Sequence, residues 1–222
     1  MSSKRELNAH NFFTGWVILP LARLFFGLLF LLLGPIRPAG RRRVPRKGGL
    51  LILSNHLADV DPIVVQLSCP RPVHFMAKSE LFEMRLLGWG LRLYKAFPVR
   101  RGEPDKGAIR HAVDLLRAGH AVCVFPEGEL SQSGELLPLK PGVALIVRMA
   151  GVPVICAGIQ GSNRVLPYGR LLPRFSFRAV RCAWGEPREF DPRAGTEEVM
   201  GWAQDELRRL TGQPGPAPTQ AA

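Results

Sequence analysis

The feature that most constrains the fold is an alternation of short apolar runs with helical patterns along residues 48–212. The apolar runs have the length of buried strands and cover residues 50–53, 73–76, 96–99, 121–125, 152–159 and 175–183. Helical spacing covers residues 62–67, 80–93, 105–118, 142–150 and 197–210. Strands that alternate with helices predict an α/β domain with a mixed, largely parallel sheet flanked by helices.

Ahead of this domain, residues 12–33 form an apolar stretch, FFTGWVILPLARLFFGLLFLLL. It has the roughly 20 residues of a transmembrane helix. However, Pro20 would kink such a helix, and Arg23 would be costly at the bilayer centre. Two short helices bent near Pro20 and lying in one leaflet are therefore an alternative to a single span, and a cleaved signal peptide is a third. Because the stretch has no polar face, it does not fit a buried helix of a soluble domain.

The charge of the chain favours an anionic partner, since 30 Lys and Arg residues stand against 18 Asp and Glu residues for a net charge of +12. A basic cluster follows the apolar stretch at Arg37, Arg41, Arg42, Arg43, Arg46 and Lys47. Such a cluster opposes export and would bind acidic headgroups at about 1 kcal/mol per basic residue. We therefore expect membrane lipids with anionic headgroups as partners, a membrane location with the domain facing the cytoplasm, and no nucleic acid.

These patterns divide the chain into three parts. Residues 1–47 are predicted to be a membrane-associated helical segment with a basic linker, and residues 48–212 the α/β domain. Residues 213–222 are rich in Pro and are predicted to form a disordered tail. The four cysteines lack C-x-x-C spacing, so we expect buried reduced thiols and no zinc or redox site.

The first motif that carries chemistry is NHLADVD at residues 55–61, directly after a predicted strand. A neutral histidine can accept the proton that an alcohol loses when it attacks an acyl thioester. A carboxylate on the other ring nitrogen would fix the tautomer, and Asp61 can converge with His56 across a loop-to-helix turn. Asp59 competes for this role, or it caps the helix that follows. Alone, this spacing often arises by chance, and no third ligand for a metal stands nearby.

Three further motifs follow. FPEGELS at residues 125–131 places Glu127 at a strand end, where it could bind a polyol or hold backbone amides of the active-site loop, while Gly128 permits a tight turn. FPVRRG at residues 97–102 offers Arg100 and Arg101 as a phosphate clamp. Taken alone, these two segments also fit a solvent-facing turn and a solvated basic loop. The fourth motif, GVPVI at residues 151–155, indicates a core strand that could line an acyl pocket.

Together and in this order, the four motifs resemble the blocks of the glycerolipid acyltransferase family, which includes 1-acyl-glycerol-3-phosphate acyltransferase. The resemblance implies transfer of a fatty acyl group from acyl-CoA or acyl-carrier protein to the hydroxyl of a lysophospholipid. It implies His56 as general base and Asp61 as its orienting partner, with no metal and no organic cofactor.

For the acceptor, the resemblance implies a phosphate contact from Arg100 or Arg101 and a site shaped by Glu127 and Gly128. The third block commonly continues FPEG-Thr-Arg-Ser in the family. Here Glu129 stands in place of the Thr and Leu130 in place of the Arg, and only Ser131 matches the family's pattern. The resemblance also assigns Ser131 to the acceptor site.

Loss of that arginine would weaken binding of a phosphomonoester and argues for an acceptor with less negative charge. The segment FPEGELSQSGELLPLKPG also resembles branches of the family that act on lysophosphatidylethanolamine-type lipids. Lys140 or Arg164 could compensate for the missing cation. Leu130 is also the one feature that favours an alternative, a catalytically inactive lipid-binding or tethering protein with the same fold. The presence of His56 and Asp61 opposes that alternative.

Overall fold

The computed structural model describes residues 19–100, 105–170, 172–176 and 178–213. Its strands are β1 (Ile36–Ala39), β2 (Leu50–Ser54), β3 (Val73–Lys78), β4 (Ala96–Val99), β5 (Ala121–Val124), β6 (Val154–Gln160) and β7 (Val180–Trp184). Its helices are α1 (Leu19–Leu33), α2 (Asp61–Ser68), α3 (Arg85–Leu93), α4 (Lys106–Arg117), α5 (Gly142–Ala150), α6 (Ser162–Val165) and α7 (Thr196–Thr211). Short 3-10 turns lie at Arg41–Arg43 and Ser79–Phe82.

The seven strands form one sheet in the order β1-β7-β6-β2-β5-β3-β4. Strands β6, β2, β5, β3 and β4 run parallel to one another, and β7 runs antiparallel to β6. The edge strand β1 pairs with β7 in parallel. The predicted mixed, largely parallel sheet is thus confirmed.

Both faces of the sheet are covered by helices. The residues Leu51 and Leu53 of β2 pack in a cluster with α4, α5 and α7. Their neighbours Leu50 and Ile52 pack on the other face with α1 and α2. Burial on both faces explains why β2 reads as a continuous apolar run rather than as alternating apolar and polar residues.

Three predicted elements differ from the structure. Strand β1 lies inside the predicted basic linker, because its pairing with β7 involves residues more than 140 positions away and leaves no local signal. The predicted helix 80–93 is divided in two, since Met84 has an extended backbone between the 3-10 turn and α3. The strand predicted for residues 175–183 begins only at Val180.

Helix α1 covers part of the predicted membrane segment. In the parts of the chain that the structure describes, no helix is both long and apolar enough to cross a membrane. Arg23 of α1 donates a hydrogen bond to the carbonyl oxygen of Cys69, at the end of α2. The rest of the predicted apolar stretch, residues 12–18, lies outside the described residues, as does nearly all of the predicted tail.

Candidate active site

The candidate site lies at the carboxyl edge of the parallel strands, where ligands usually bind in open α/β sheets. The loop that carries His56 connects β2 to α2. Its first residue, Asn55, accepts a hydrogen bond from the Ile159 amide (2.7 Å) and donates one to the Ile159 carbonyl (2.9 Å). This pair of bonds ties the start of the loop to the neighbouring strand β6.

His56 and Asp61 are in direct contact, with 3.0 Å between Nδ1 and Oδ2. The same carboxylate oxygen accepts hydrogen bonds from the amides of Leu57 (2.6 Å) and Ala58 (2.8 Å). Asp61 is fully buried in the first turn of α2, where the helix dipole favours a negative charge. The competitor Asp59 is exposed, so Asp61 is the residue that meets the imidazole.

The ring of Phe125 stacks on the imidazole of His56, with centroids 4.0 Å apart and 17° between the planes. Phe125 directly follows β5, the strand beside β2 in the sheet. The stacking and the bond to Asp61 together define the plane and the rotation of the imidazole. From the sequence, Phe125 is identified only as part of the FPEGELS motif. Its stacking could not be predicted, because its partner His56 is distant along the chain.

Glu127 holds the histidine loop from the opposite side. Its Oε1 accepts a hydrogen bond from the His56 amide (2.7 Å), and its Oε2 accepts one from the Leu137 amide (2.8 Å). Burial raises the pKa of this carboxyl group. The sequence left two roles open for Glu127, a contact with a polyol or a contact with backbone amides. Both carboxylate oxygens accept hydrogen bonds from backbone amides.

Gly128 turns the chain directly after Glu127 and has a φ of +75°. A Cβ at this position would lie 2.6 Å from Nζ of Lys140, so the absence of a side chain lets Lys140 lie against the turn. The Lys140 amide also donates a hydrogen bond to the Pro126 carbonyl (2.8 Å). Lys140 therefore lies beside the FPEG turn. It is one of the two residues proposed from the sequence to compensate for the missing arginine.

A cavity of about 450 Å³ opens next to this turn. Its wall is mainly apolar, with side chains from β3, β4, β5, α4 and α5, and it includes the ring of Phe125. Charged residues of the wall are Arg100, Asp105 and Lys140. The cavity thus combines a mainly apolar wall with two cations and one carboxylate, and its wall includes Phe125, the residue that stacks on His56. Arg101 lies outside the described residues.

The remaining candidate residues have structural contacts. The buried hydroxyl of Ser131 accepts a hydrogen bond from the Gly134 amide and donates one to the Glu135 carbonyl, while the Ser131 amide bonds to the His56 carbonyl (2.8 Å). Arg164 lies against Gly161 and donates to the Ala179 carbonyl.

The last two residues of the fourth motif, Val154 and Ile155, begin the buried strand β6, and no residue of this motif lines the cavity. Within the described ranges, no group of His, Cys, Asp and Glu residues could hold a metal ion. The four cysteines are buried and free.

The arrangement can support proton transfer from an alcohol. With Nδ1 bonded to Asp61, Nε2 is left as the ring nitrogen that can take up a proton, and Asp61 can stabilise the imidazolium that results. The apolar cavity beside Phe125 falls within the range of about 300–1,000 Å³ that ligand pockets have.

A solved structure shares this fold, and curated proteins are similar to part of this sequence. The 1-acyl-sn-glycerophosphate (LPA) acyltransferase from Thermotoga maritima superposes with a TM-score of 0.75 at 22% identity, over 90% of this chain and 81% of that one. The 1-acyl-sn-glycerol-3-phosphate acyltransferase from Bacillus subtilis is 33% identical over 131 residues, which are 59% of this chain and 65% of the relative. The corresponding enzyme from Streptococcus pneumoniae is 30% identical over 167 residues, 72% of this chain and 60% of the relative.

The matched parts span less than two thirds of the length of the Bacillus subtilis and Streptococcus pneumoniae enzymes. The model of a family described as Acyltransferase matches residues 35–160, which include the His56 loop, the FPEG turn and the whole of β6. The chain therefore belongs to the acyltransferase family.

Proposed function

We propose that the chain is an O-acyltransferase that moves a fatty acyl group from acyl-CoA or acyl-carrier protein to the hydroxyl of a lysophospholipid. The observation that carries the proposal is the hydrogen bond between His56 Nδ1 and a buried Asp61 that also binds two loop amides. A carboxylate held in this way sets the tautomer in which Nε2 is free to act as a base.

In the proposed reaction, Nε2 of His56 takes the proton of the acceptor hydroxyl as its oxygen attacks the thioester carbonyl carbon. The tetrahedral intermediate then collapses, the carbon–sulfur bond breaks, and the proton on His56 passes to the departing thiolate. The products are the ester and a free thiol. The step needs no metal or organic cofactor, since the thioester already supplies the driving force.

The cavity beside Phe125 is the proposed place for the acyl chain of the donor. Its wall is mainly apolar, and the one aromatic ring that it shares with the site touches the imidazole. Arg100 and Lys140 on the cavity wall are the proposed contacts for a phosphate of donor or acceptor, because cations bind phosphate oxygens strongly. The proposed role of Glu127 and Ser131 is indirect, since both hold the backbone of the His56 loop that the substrates approach. Gly128 contributes by letting Lys140 lie against the turn.

We propose 1-acylglycerol-3-phosphate as the acceptor, with phospholipid biosynthesis as the setting. The similar enzymes from Bacillus subtilis and Streptococcus pneumoniae are named for this acceptor, which supports it, and Lys140 beside Gly128 offers a cation near the turn that lacks the family's arginine. We further propose that residues 1–47 associate with a membrane of anionic lipids, with the domain of residues 48–212 on the cytoplasmic side.

An acceptor screen tests the proposal. Purified protein is mixed with labelled acyl-CoA and, in separate reactions, lysophosphatidic acid, lysophosphatidylethanolamine and lysophosphatidylcholine, and both free CoA and acylated lipid are measured. We expect rapid acylation of lysophosphatidic acid and slower reaction of the zwitterionic lipids. Preference for a zwitterionic acceptor would overturn the acceptor assignment. No release of CoA with any acceptor, with acyl-carrier protein donors tested in parallel, would overturn the activity.

A further inference from the structure

Helix α3 turns its apolar side outward. The side chain of Leu86 is 83% exposed and that of Trp89 is 61% exposed, and Met84 just ahead of the helix is also exposed. The inner side is marked by Gly88, where a Cβ would lie 2.4 Å from the Phe82 carbonyl oxygen. A surface helix of a soluble domain has the opposite arrangement, with its apolar stripe toward the core. The outer side of α3 therefore requires a partner with apolar character.

The charges of α3 indicate which kind of partner this is. Its charged residues are Arg85 and Arg92, both exposed, and the helix has no acidic residue. Ahead of α3, Glu80 is paired with Lys78 at 3.2 Å, and Glu83 is exposed. A helix with Leu and Trp on one side and Arg at its flank has the composition of helices that lie in the headgroup region of anionic bilayers.

Helix α1 lies beside the carboxyl end of α3. Phe26 of α1 makes an edge-to-face contact with Tyr94, which directly follows α3, with 6.1 Å between the ring centroids. Tyr94 packs against the same side of the sheet as α1. Helix α1 has its own exposed apolar side chains, each more than half exposed: Leu21, Leu24, Phe25, Leu28, Leu31 and Leu32. Helices α1 and α3 thus both expose apolar side chains, and the chain that directly follows α3 contacts α1.

At its other end, α1 contacts a further exposed apolar segment. The Ser176 amide donates a hydrogen bond to the Leu33 carbonyl (2.7 Å), and Leu172 in the same segment is 78% exposed. Between Glu135 and Glu186 the chain has no acidic residue, so this segment adds only positive charge. Such a combination of exposed apolar side chains and positive charge fits an anionic lipid surface better than a second copy of this chain.

We propose that α3 is a second bilayer-contacting element, which docks with α1 on an anionic membrane and places Leu86 and Trp89 at the boundary of headgroups and acyl chains. The proposal shares with the proposed function only the membrane association of α1, and it adds an element within the α/β domain itself. Helix α3 connects β3 to β4, and Met76 and Val99 of these strands line the cavity. Docking through α3 therefore sets the position of the sheet edge formed by β3 and β4 relative to the lipid surface.

The first experiment measures binding of the full chain to vesicles of phosphatidylglycerol and phosphatidylethanolamine by flotation. The test variant is Leu86→Gln with Trp89→Gln, and both side chains are exposed enough for the fold to tolerate the change. The matched control is Leu145→Gln, since Leu145 is a 39% exposed apolar residue of α5 on the opposite face of the sheet. We expect binding to weaken about tenfold or more in the double variant and to stay unchanged in the control. Equal binding of all three proteins would overturn the proposal.

The second experiment uses the fluorescence of Trp89. The emission of the wild type minus that of Trp89→Phe is recorded with vesicles that contain lipids brominated along the acyl chain. We expect a blue shift and quenching in this difference spectrum, and their absence would contradict insertion of Trp89. If the double variant instead converts a lipid-free dimer into a monomer and binds vesicles normally, the surface is a protein interface and the proposal fails.

Acyl transfer to a short-chain acceptor below its critical micelle concentration separates this proposal from the proposed function. We expect the double variant to keep wild-type turnover there, because α3 holds no group of the candidate site. If the wild type shows no turnover while Trp89 inserts, the enzymatic proposal fails and the docking surface stands. If turnover is normal while Trp89 does not insert, the docking surface fails and the enzymatic proposal stands.

Discussion

The two edges of the central sheet each hold a histidine that is largely removed from solvent, and their surroundings differ. At the carboxyl edge, His56 is bonded to Asp61 and stacked on Phe125. At the amino edge, His74 lies 5.1 Å from His120, measured between ring centroids, and its Nε2 is buried with no hydrogen-bond partner among the described residues. Burial together with Lys95, His120 and His111 lowers the pKa of His74 to about 3.

A buried histidine is useful as a base when a nearby group stabilises its protonated form. Burial alone disfavours the charged imidazolium, and neighbouring cations add to that effect, as they do at His74. At His56, a carboxylate held by two backbone amides supplies the charge that stabilises a proton. The difference in surroundings supports the proposal that proton transfer takes place at the carboxyl edge, and it favours a neutral structural role for His74 at the amino edge.

Replacement of the carboxylate should have the largest effect. In Asp61→Asn, the charged oxygen that accepts three hydrogen bonds is replaced by a neutral side-chain amide, which favours the wrong tautomer of His56. We expect the rate of CoA release to fall by about 10⁴-fold, as it does when the acid of a catalytic triad becomes an amide. Asp59→Asn is the matched control, because Asp59 is exposed and outside the hydrogen-bond network. An active Asp61→Asn enzyme would remove the distinction between the two edges.

Glu127→Gln should have the next largest effect. One of the two oxygens that bind the His56 and Leu137 amides would become an NH₂ group that faces an N–H donor. We expect a loss of about 1–3 kcal/mol in unfolding free energy and a loss of activity on the order of 10²-fold through displacement of the loop. Denaturant titration and CoA release measure the two quantities. Glu129→Gln, at an exposed position of the same turn, should leave both unchanged.

Lys140→Met should have a smaller effect that appears in substrate binding. Because Lys140 lies on the cavity wall beside Gly128, its removal should raise KM for lysophosphatidic acid about tenfold with little change in kcat, in line with the loss of one charge-assisted hydrogen bond. Lys106→Met is the control, since Lys106 is exposed and does not line the cavity. A KM that is equal in the two variants would exclude Lys140 as a phosphate contact.

His74→Gln should leave activity unchanged and alter only the pH dependence of stability. The folded pKa of about 3 lies below the ordinary value near 6.5, so between these values the unfolded chain binds a proton that the folded chain does not. The wild type should therefore lose stability as the pH falls from 6.5 toward 3, by up to about 1.4 kcal/mol per pH unit. The variant should lose less over this window when unfolding free energies are compared. Parallel curves would show that His74 does not titrate in this way.

The sequence predicted the parts of the molecule that depend on local patterns. The strands flanked by turns, the loop-to-helix step between His56 and Asp61, and the turn at Gly128 all lie within short stretches of chain. The class of fold followed from the alternation of these stretches, and four ordered motifs were enough to indicate the family.

Contacts between distant residues could not be predicted in the same way. The bond from the His56 amide to Glu127 joins residues 71 positions apart, and the bond of Asn55 to Ile159 spans 104 positions. Hydrophobic spacing marks α3 as amphipathic but does not say which side faces outward, because that depends on how the turn before it packs on Gly88. The pairing of β1 with β7 was missed for the same reason.

The most direct test of the account compares the two histidines in one assay. Release of free CoA from acyl-CoA with lysophosphatidic acid is measured for wild type, His56→Ala and His74→Gln, with thermal unfolding of each protein as a check of the fold. We expect loss of nearly all turnover in His56→Ala, with an intact fold, and wild-type turnover in His74→Gln. Turnover by a folded His56→Ala protein at the wild-type rate would contradict this expectation.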